Sequence, residues 1–209
     1  MFFNKTMSPP YYDLCSESAI NVLELAKASA DELKHAYVGD EHVLIGVMAE
    51  GENIGCQALK EAGFTLDYAV KDVARFSQAS GSFATATNNV AWIGRRAKEY
   101  NFIKRNEVCH GNLQGSRTKV RKIPQNPNCS PGFASAMNYA FYYSQYYGDA
   151  KVQPEHLLIG VFALNRSALD EDSIGYRILI RRGIDIQTLE ERITQLKGGF
   201  LEPISFVCG

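Results

Sequence analysis

Residues 39–51 read GDEHVLIGVMAEG, and residues 153–163 read QPEHLLIGVFA. The order Glu-His-aliphatic-Leu-Ile-Gly-Val is written twice, with Glu41 and Glu155 separated by 114 positions. Val43, Leu44, Val47 and Met48 recur three and four apart, the spacing of a helix face. Leu157, Leu158, Val161 and Phe162 fall at the same register. Asp40 reads as the N-cap of the first helix. Pro154 reads as the first residue of the second, where its fixed φ suits the turn. Gly46 and Gly160 stand mid-helix, where glycine costs about 1 kcal/mol against alanine. The same cost at the same register predicts that a neighbouring helix backbone comes close at both places.

The repeat extends outward from these stretches. Ahead of the first lie Ala19, Val22, Leu23, Ala26, Ala30 and Leu33, one face of a helix. Their counterparts 114 positions on are Phe133, Ala136, Met137, Ala140, Ser144 and Tyr147. After the second copy's Glu-His helix six extra residues enter, so that IGCQALKEAG (54–63) matches IGYRILIRRG (174–183). Both end on a glycine, Gly63 and Gly183, the usual left-handed stop of a helix. A fourth segment places Leu66, Ala69 and Val73 against Ile186, Leu189 and Ile193. Each copy is thus four short helices, and neither carries a strand pattern. The expectation is an all-α fold of two four-helix units related by a pseudo-two-fold axis. They occupy 15–76 and 130–197, with tails at 1–14 and 198–209 and an insert at 77–129.

The insert matches neither copy. A polar start, SQASGSFATATNN, gives way to a short helix pattern at Val90, Ile93 and Ala97 and then to loop. It holds nine basic residues, among them Arg95, Arg96, Arg117, Lys119, Arg121 and Lys122, against Glu99 and Glu107, a net of +7 in a chain of net charge −1. Such a segment can lie on an acidic body or reach a partner. With Trp92, Tyr100 and Phe102 among the charges, single-stranded nucleic acid is the alternative partner. The tails MFFNKTMSPPYYD and GGFLEPISFVCG are apolar or aromatic. They either pack across the helices or anchor in a partner.

Several chemistries find no motif. The five cysteines are widely spaced without C-x-x-C, and no H-E-x-x-H is present, so neither a disulfide framework nor a metal centre is expected. Cys56 stands where the other copy has Tyr176 and reads as a core thiol. A Cys–His nucleophile would need Cys56 or Cys109 beside a histidine. No apolar run is long enough to cross a membrane, and no signal peptide is apparent. A reducing compartment, cytoplasm or plastid stroma, fits the cysteine usage.

The stretch YVGDEHVLIGVMAEGENIGCQALKEAGF (37–64) with the helix before it resembles the Clp N-terminal domain, whose members carry Gly-Thr-Glu-His-aliphatic-Leu-aliphatic-Gly in two tandem four-helix copies. The resemblance covers 15–76 and 130–197 and is closer in the first copy. Departures are Asp40 and Pro154 in place of the threonine, the long insert, and the lack of G-x-x-x-x-G-K-[ST]. The resemblance implies a non-enzymatic, cofactor-free protein-binding role: an accessory or adaptor, akin to the ClpT-type subunits, of a Clp ATPase, its protease or their substrates. In some members the equivalent glutamates engage the guanidinium of phosphoarginine, while amides at the start of the first helix hold the phosphate. Carried over, that pocket is Glu41 with Ser16 and Glu155 with Ser130. A carboxylate–guanidinium pair and a helix N-terminus suit those two charges. Asp40 would oppose the phosphate. The structural reading gives Glu41 and Glu155 to the helix dipole, and His42 and His156 to carbonyls of adjacent helices.

Overall fold

The computed structural model describes residues 12–76, 128–163 and 173–198. The tails at 1–11 and 199–209 and the insert from 77 to 127 lie outside these residues. So do the expectations placed there: the 90–97 helix, Arg95, Arg96, Arg117, Lys119, Arg121, Lys122 and Cys109.

Ser16 starts the fold. Its hydroxyl accepts from the Ala19 amide at 3.1 Å and caps α1 (Glu17–Glu32). Ser130 does the same for α5 (Pro131–Tyr146) through the Phe133 amide, also at 3.1 Å. Then follow α2 (Asp40–Glu50), α3 (Ile54–Glu61) and α4 (Leu66–Phe76) in the first unit. The second unit has α6 (Pro154–Ala163), α7 (Ile174–Arg181) and α8 (Ile186–Leu196). Asn53 and Ser173 cap α3 and α7, and each also touches the preceding helix: Asn53 donates to the Val47 carbonyl at 3.0 Å, and the Ser173 hydroxyl lies 3.1 Å from the Val161 carbonyl. Gly63 and Gly183 end α3 and α7 with φ of +80° and +75°.

α2 and α6 are the centre of the molecule. In α2 every residue except Glu41 is buried, and in α6 all are. The expectation of one apolar face is therefore too narrow: a helix apolar all round is a helix surrounded. A Cβ on Gly46 would stand 2.2 Å from the Val22 carbonyl oxygen of α1, and one on Gly160 would stand 2.2 Å from that of Ala136 in α5. Both glycines exist for the same helix crossing, repeated 114 residues apart.

The units meet reciprocally. Tyr37–Val38 (β1) pairs in parallel with Asn128–Cys129 (β2), Val38 opposite Cys129, and Cys15 bridges to Val152. The Ser16 amide donates to the Val152 carbonyl and the Ser130 amide to the Val38 carbonyl, both at 2.9 Å. Each pair converts to the other by a shift of 114, which is the signature of a two-fold contact. These two-residue pairings are absent from the sequence reading. Around them one continuous apolar core runs through both units, from Val22 and Leu44 to Leu158 and Ile193.

Candidate functional site

α1 and α2 run antiparallel: Ser18, in the first turn of α1, donates to Glu50 at the end of α2 at 2.7 Å. Glu41, nine residues earlier on α2, is therefore about 13 Å along the axis from Ser16. The structure regroups the four candidate residues across the units. Asp40 Oδ1 lies 3.1 Å from where a Cβ on Gly132 would be, beside Ser130. Ser16 lies beside Val152 and the start of α6, which carries Glu155. The two edges are Asp40–Glu41 with Ser130 and Glu155 with Ser16.

Gly39, rather than Asp40, is the N-cap of α2, and Asp40 is the first helical residue. Its carboxylate is drawn into the other unit, where it accepts from the Ser173 hydroxyl and, at 2.8 Å, from the Gly175 amide. There it completes the N-terminus of α7, where a negative charge is favoured. Pro154, its counterpart, has nothing to offer α3, which relies on Asn53.

His42 and His156 close their own helices instead of reaching an adjacent carbonyl. His42 Nδ1 accepts from the Gly39 amide at 2.9 Å and His156 Nδ1 from the Gln153 amide at 3.0 Å. An Nδ1 that accepts leaves the proton on Nε2. His42 Nε2 accordingly donates to His35 Nδ1 at 2.7 Å, and His156 Nε2 to Asp149 at 3.0 Å. His35 and Asp149 are equivalent positions. Burial, with His35 alongside, lowers His42 to a pKa of about 3; burial lowers His156 as well. His35, Glu41 and His42 offer ligand atoms within 4.8 Å of one another. The nitrogens of the two histidines share a proton, however, and His42 Nδ1 is held by Gly39. The cluster is a hydrogen-bonded chain in this structure.

The two glutamates differ. Glu155 is buried against Lys197, whose ammonium lies 2.8 Å from Glu155 and 2.7 Å from Asp149. Glu41 has no such cation among the described residues. Its carboxyl folds back over Gly39, where a Cβ would fall 2.0 Å from Oε2. It shares a hydrogen bond with Asp40 and lies 3.3 Å from His42 Nδ1. A negative charge facing another carboxyl is disfavoured there, against the bond from the Glu41 amide. Burial first, then the charge of Asp40, raise its pKa to about 7. Burial also raises Asp40, against the bonds from Ser173 and Gly175. Asp40, set against Pro154, is the one mark of this asymmetry that the Glu-His stretches themselves carry. Cys56 is a buried free thiol, as are Cys15 and, half-buried, Cys129. No helix among the described residues is long and apolar enough to cross a membrane.

Residues 14–98 match the model of the Clp repeat (R) N-terminal domain family. Over 75 residues the chain is 39% identical to "Negative regulator of genetic competence ClpC/MecB" of Bacillus subtilis, covering 35% of this chain and 9% of that protein. It is 25% identical over 187 residues, 90% of its length, to 17% of the "ATP-dependent Clp protease ATP-binding subunit ClpA homolog" of Cyanidium caldarium. The chain thus spans less than a fifth of these relatives. The crystal structure of the N-terminal domain of the chaperone ClpD from Arabidopsis thaliana has the same fold, with a TM-score of 0.57 at 18% identity over 89% of this chain and 99% of that one.

Proposed function

We propose that this chain, which carries a Clp-N repeat domain homologous to the N-terminal domains of Clp ATPases and chaperones, is a non-catalytic accessory or adaptor protein of a Clp chaperone–protease system. The observation that carries the reading is the 39% identity to ClpC/MecB over 75 residues. The second unit supports it by repeating the same glycine crossing and the same histidine cap. In this reading the chain binds a Clp ATPase, a Clp protease subunit or one of their substrates, in the cytoplasm or plastid stroma, where its thiols stay reduced. A role of the ClpT type is the finer form of the same proposal. The test offers the immobilised chain to purified Clp ATPase and Clp protease subunits. Retention of one of them at micromolar concentration is expected, and failure of all to bind overturns the reading.

Glu41 is the residue we assign to partner recognition. Glu155 is neutralised by Lys197, whereas Glu41 has no such cation among the described residues, and a partner's cation beside the Asp40–Glu41 pair would favour its charged form. Because Asp40 occupies the edge beside Ser130 and Gly132, a phosphate there meets a like charge. The edge therefore suits an unmodified arginine or lysine side chain better than phosphoarginine. An arginine-bearing peptide should bind at least ~10-fold more tightly than its phosphorylated form, the factor that corresponds to about 1.4 kcal/mol. The reverse preference removes the assignment.

A further inference from the structure

The two halves of the molecule differ in charge where α4 meets α7. The described residues hold eleven Lys and Arg against seventeen Asp and Glu. Five of those cations, Lys71, Arg75, Arg177, Arg181 and Arg182, stand on this pair of helices or at the end of α7. Lys71 meets Asp67 at 2.7 Å, and Arg182 takes both oxygens of the buried Asp72. Arg75, its side chain 49% exposed, comes within 3.7 Å of that same engaged carboxylate. Arg177 and Arg181 are both exposed, and their guanidinium carbons lie 5.3 and 5.8 Å from the centre of one ring, Phe76. Like charges one turn apart on a helix repel, and here the shared ring holds them side by side.

The fold itself does not require these arginines. At the dyad-related edge, where α3 meets α8, Gln57 and Glu61 stand in the places of Arg177 and Arg181, and Gln195 and Leu196 in those of Arg75 and Phe76. Those helices are joined through Glu61 and Arg192 instead. A guanidinium held against a ring by its face keeps its N–H donors for a carboxylate, which it can grip by both oxygens. Arg177 and Arg181 are about 6 Å apart along α7, close to the ~7 Å between alternate residues of an extended chain. Ile180, 46% exposed, lies next to Arg181 and adds apolar surface. Because the described residues are acidic in sum, a long polyanion running off this edge meets repulsion, whereas a short acidic peptide does not.

We propose that the α4–α7 edge binds an acidic segment of a partner protein, an extended stretch with carboxylates at alternate positions, Arg177 and Arg181 each taking one of them. The charge recognised here is opposite to the one assigned to the Asp40–Glu41 pair, so the two assignments stand or fall separately.

Fluorescence anisotropy on the whole chain tests this with a labelled peptide in which glutamate alternates with serine. Arg177→Gln/Arg181→Gln should weaken its binding at least ~10-fold, with the helical circular dichroism unchanged. Arg177→Lys/Arg181→Lys keeps the charges but loses the paired donors and should fall between that variant and the unaltered chain. Substituting Arg117, Lys119, Arg121 and Lys122 of the insert by Gln should weaken the peptide less than Arg177→Gln/Arg181→Gln does. No binding by the unaltered chain, equal binding by Arg177→Gln/Arg181→Gln, or a larger loss from the insert substitutions overturns the proposal. An oligodeoxythymidylate of the same charge should be little affected by Arg177→Gln/Arg181→Gln. A greater loss for the oligonucleotide than for the peptide would give the edge to nucleic acid and refute the assignment.

Discussion

Gly39 leaves the space into which Glu41 folds, and the result is a carboxyl that titrates near neutrality. Its folded pKa of about 7 lies above its ordinary value of 4.5. The folded state is therefore favoured while the group is protonated, fully below about 4.5, and that advantage is lost as the pH rises through 7. His42 acts oppositely. Its folded pKa of about 3 lies below 6.5, so its contribution is complete above 6.5 and is lost as the pH falls towards 3. The two trends oppose each other between 4.5 and 6.5, and above that range the carboxyl dominates. Urea unfolding should show stability falling by roughly 1 kcal/mol from pH 6.5 to 8.5, and Glu41→Gln should flatten that slope. His42→Ala removes the cap of α2 and leaves the Gly39 amide buried without its acceptor. A loss of about 2–4 kcal/mol is expected by the same method. The caps at Ser16 and Ser130 are local, each hydroxyl reaching an amide three residues on. Asp40 was misplaced by one position because its real partner is in α7, which no local pattern announces. The grouping of Glu41 with Ser16 takes neighbours in the repeat as neighbours in space, whereas the Asp40 carboxylate beside Glu41 faces Gly132 and Gly175 of the other unit.

Among the elements, α2 and α6 carry the clearest sequence signal, since Gly46 and Gly160 would be poor choices in any helix not pressed against another backbone. Alanine at either position would gain helix propensity of about 1 kcal/mol and lose more to overlap with a carbonyl oxygen 2.2 Å away. Gly46→Ala and Gly160→Ala should each destabilise by roughly 2–3 kcal/mol in thermal or urea unfolding. Equal effects would agree with the repeat. An unaffected Gly160→Ala would mean that the second crossing is looser than the first. β1 and β2 escaped the sequence because two residues are too few to show a period of two. They are recognisable only through their reciprocal partners.

On the scale of the molecule, the seam carries ion pairs of unequal worth among the described residues. Asp72 in α4 is buried and takes both arms of Arg182, at 2.5 and 2.8 Å, while the guanidinium lies 4.1 Å from the Tyr68 ring. Near the dyad-related place, Arg192 in α8 reaches Glu61 at 2.6 Å, with both side chains about two-fifths exposed. Losing Asp72 leaves a half-buried cation unpaired. Asp72→Ala should cost about 2 kcal/mol, whereas Arg192→Ala should leave the unfolding midpoint essentially unmoved, because water screens that pair. The two-fold arrangement was legible from the duplicated text, whereas the location of these pairs was not, since the charges at the two places are reversed between copies.

The reciprocal pairing of Val38 with Cys129 and of Cys15 with Val152 also has a consequence for solutions of many molecules. Nothing in those contacts distinguishes a second unit on the same chain from one on a neighbour. What keeps them intramolecular is the local concentration that a connection of roughly fifty residues can maintain, on the order of millimolar. Refolding at protein concentrations approaching that value should yield dimers that have exchanged halves, each seam intact but built from two chains.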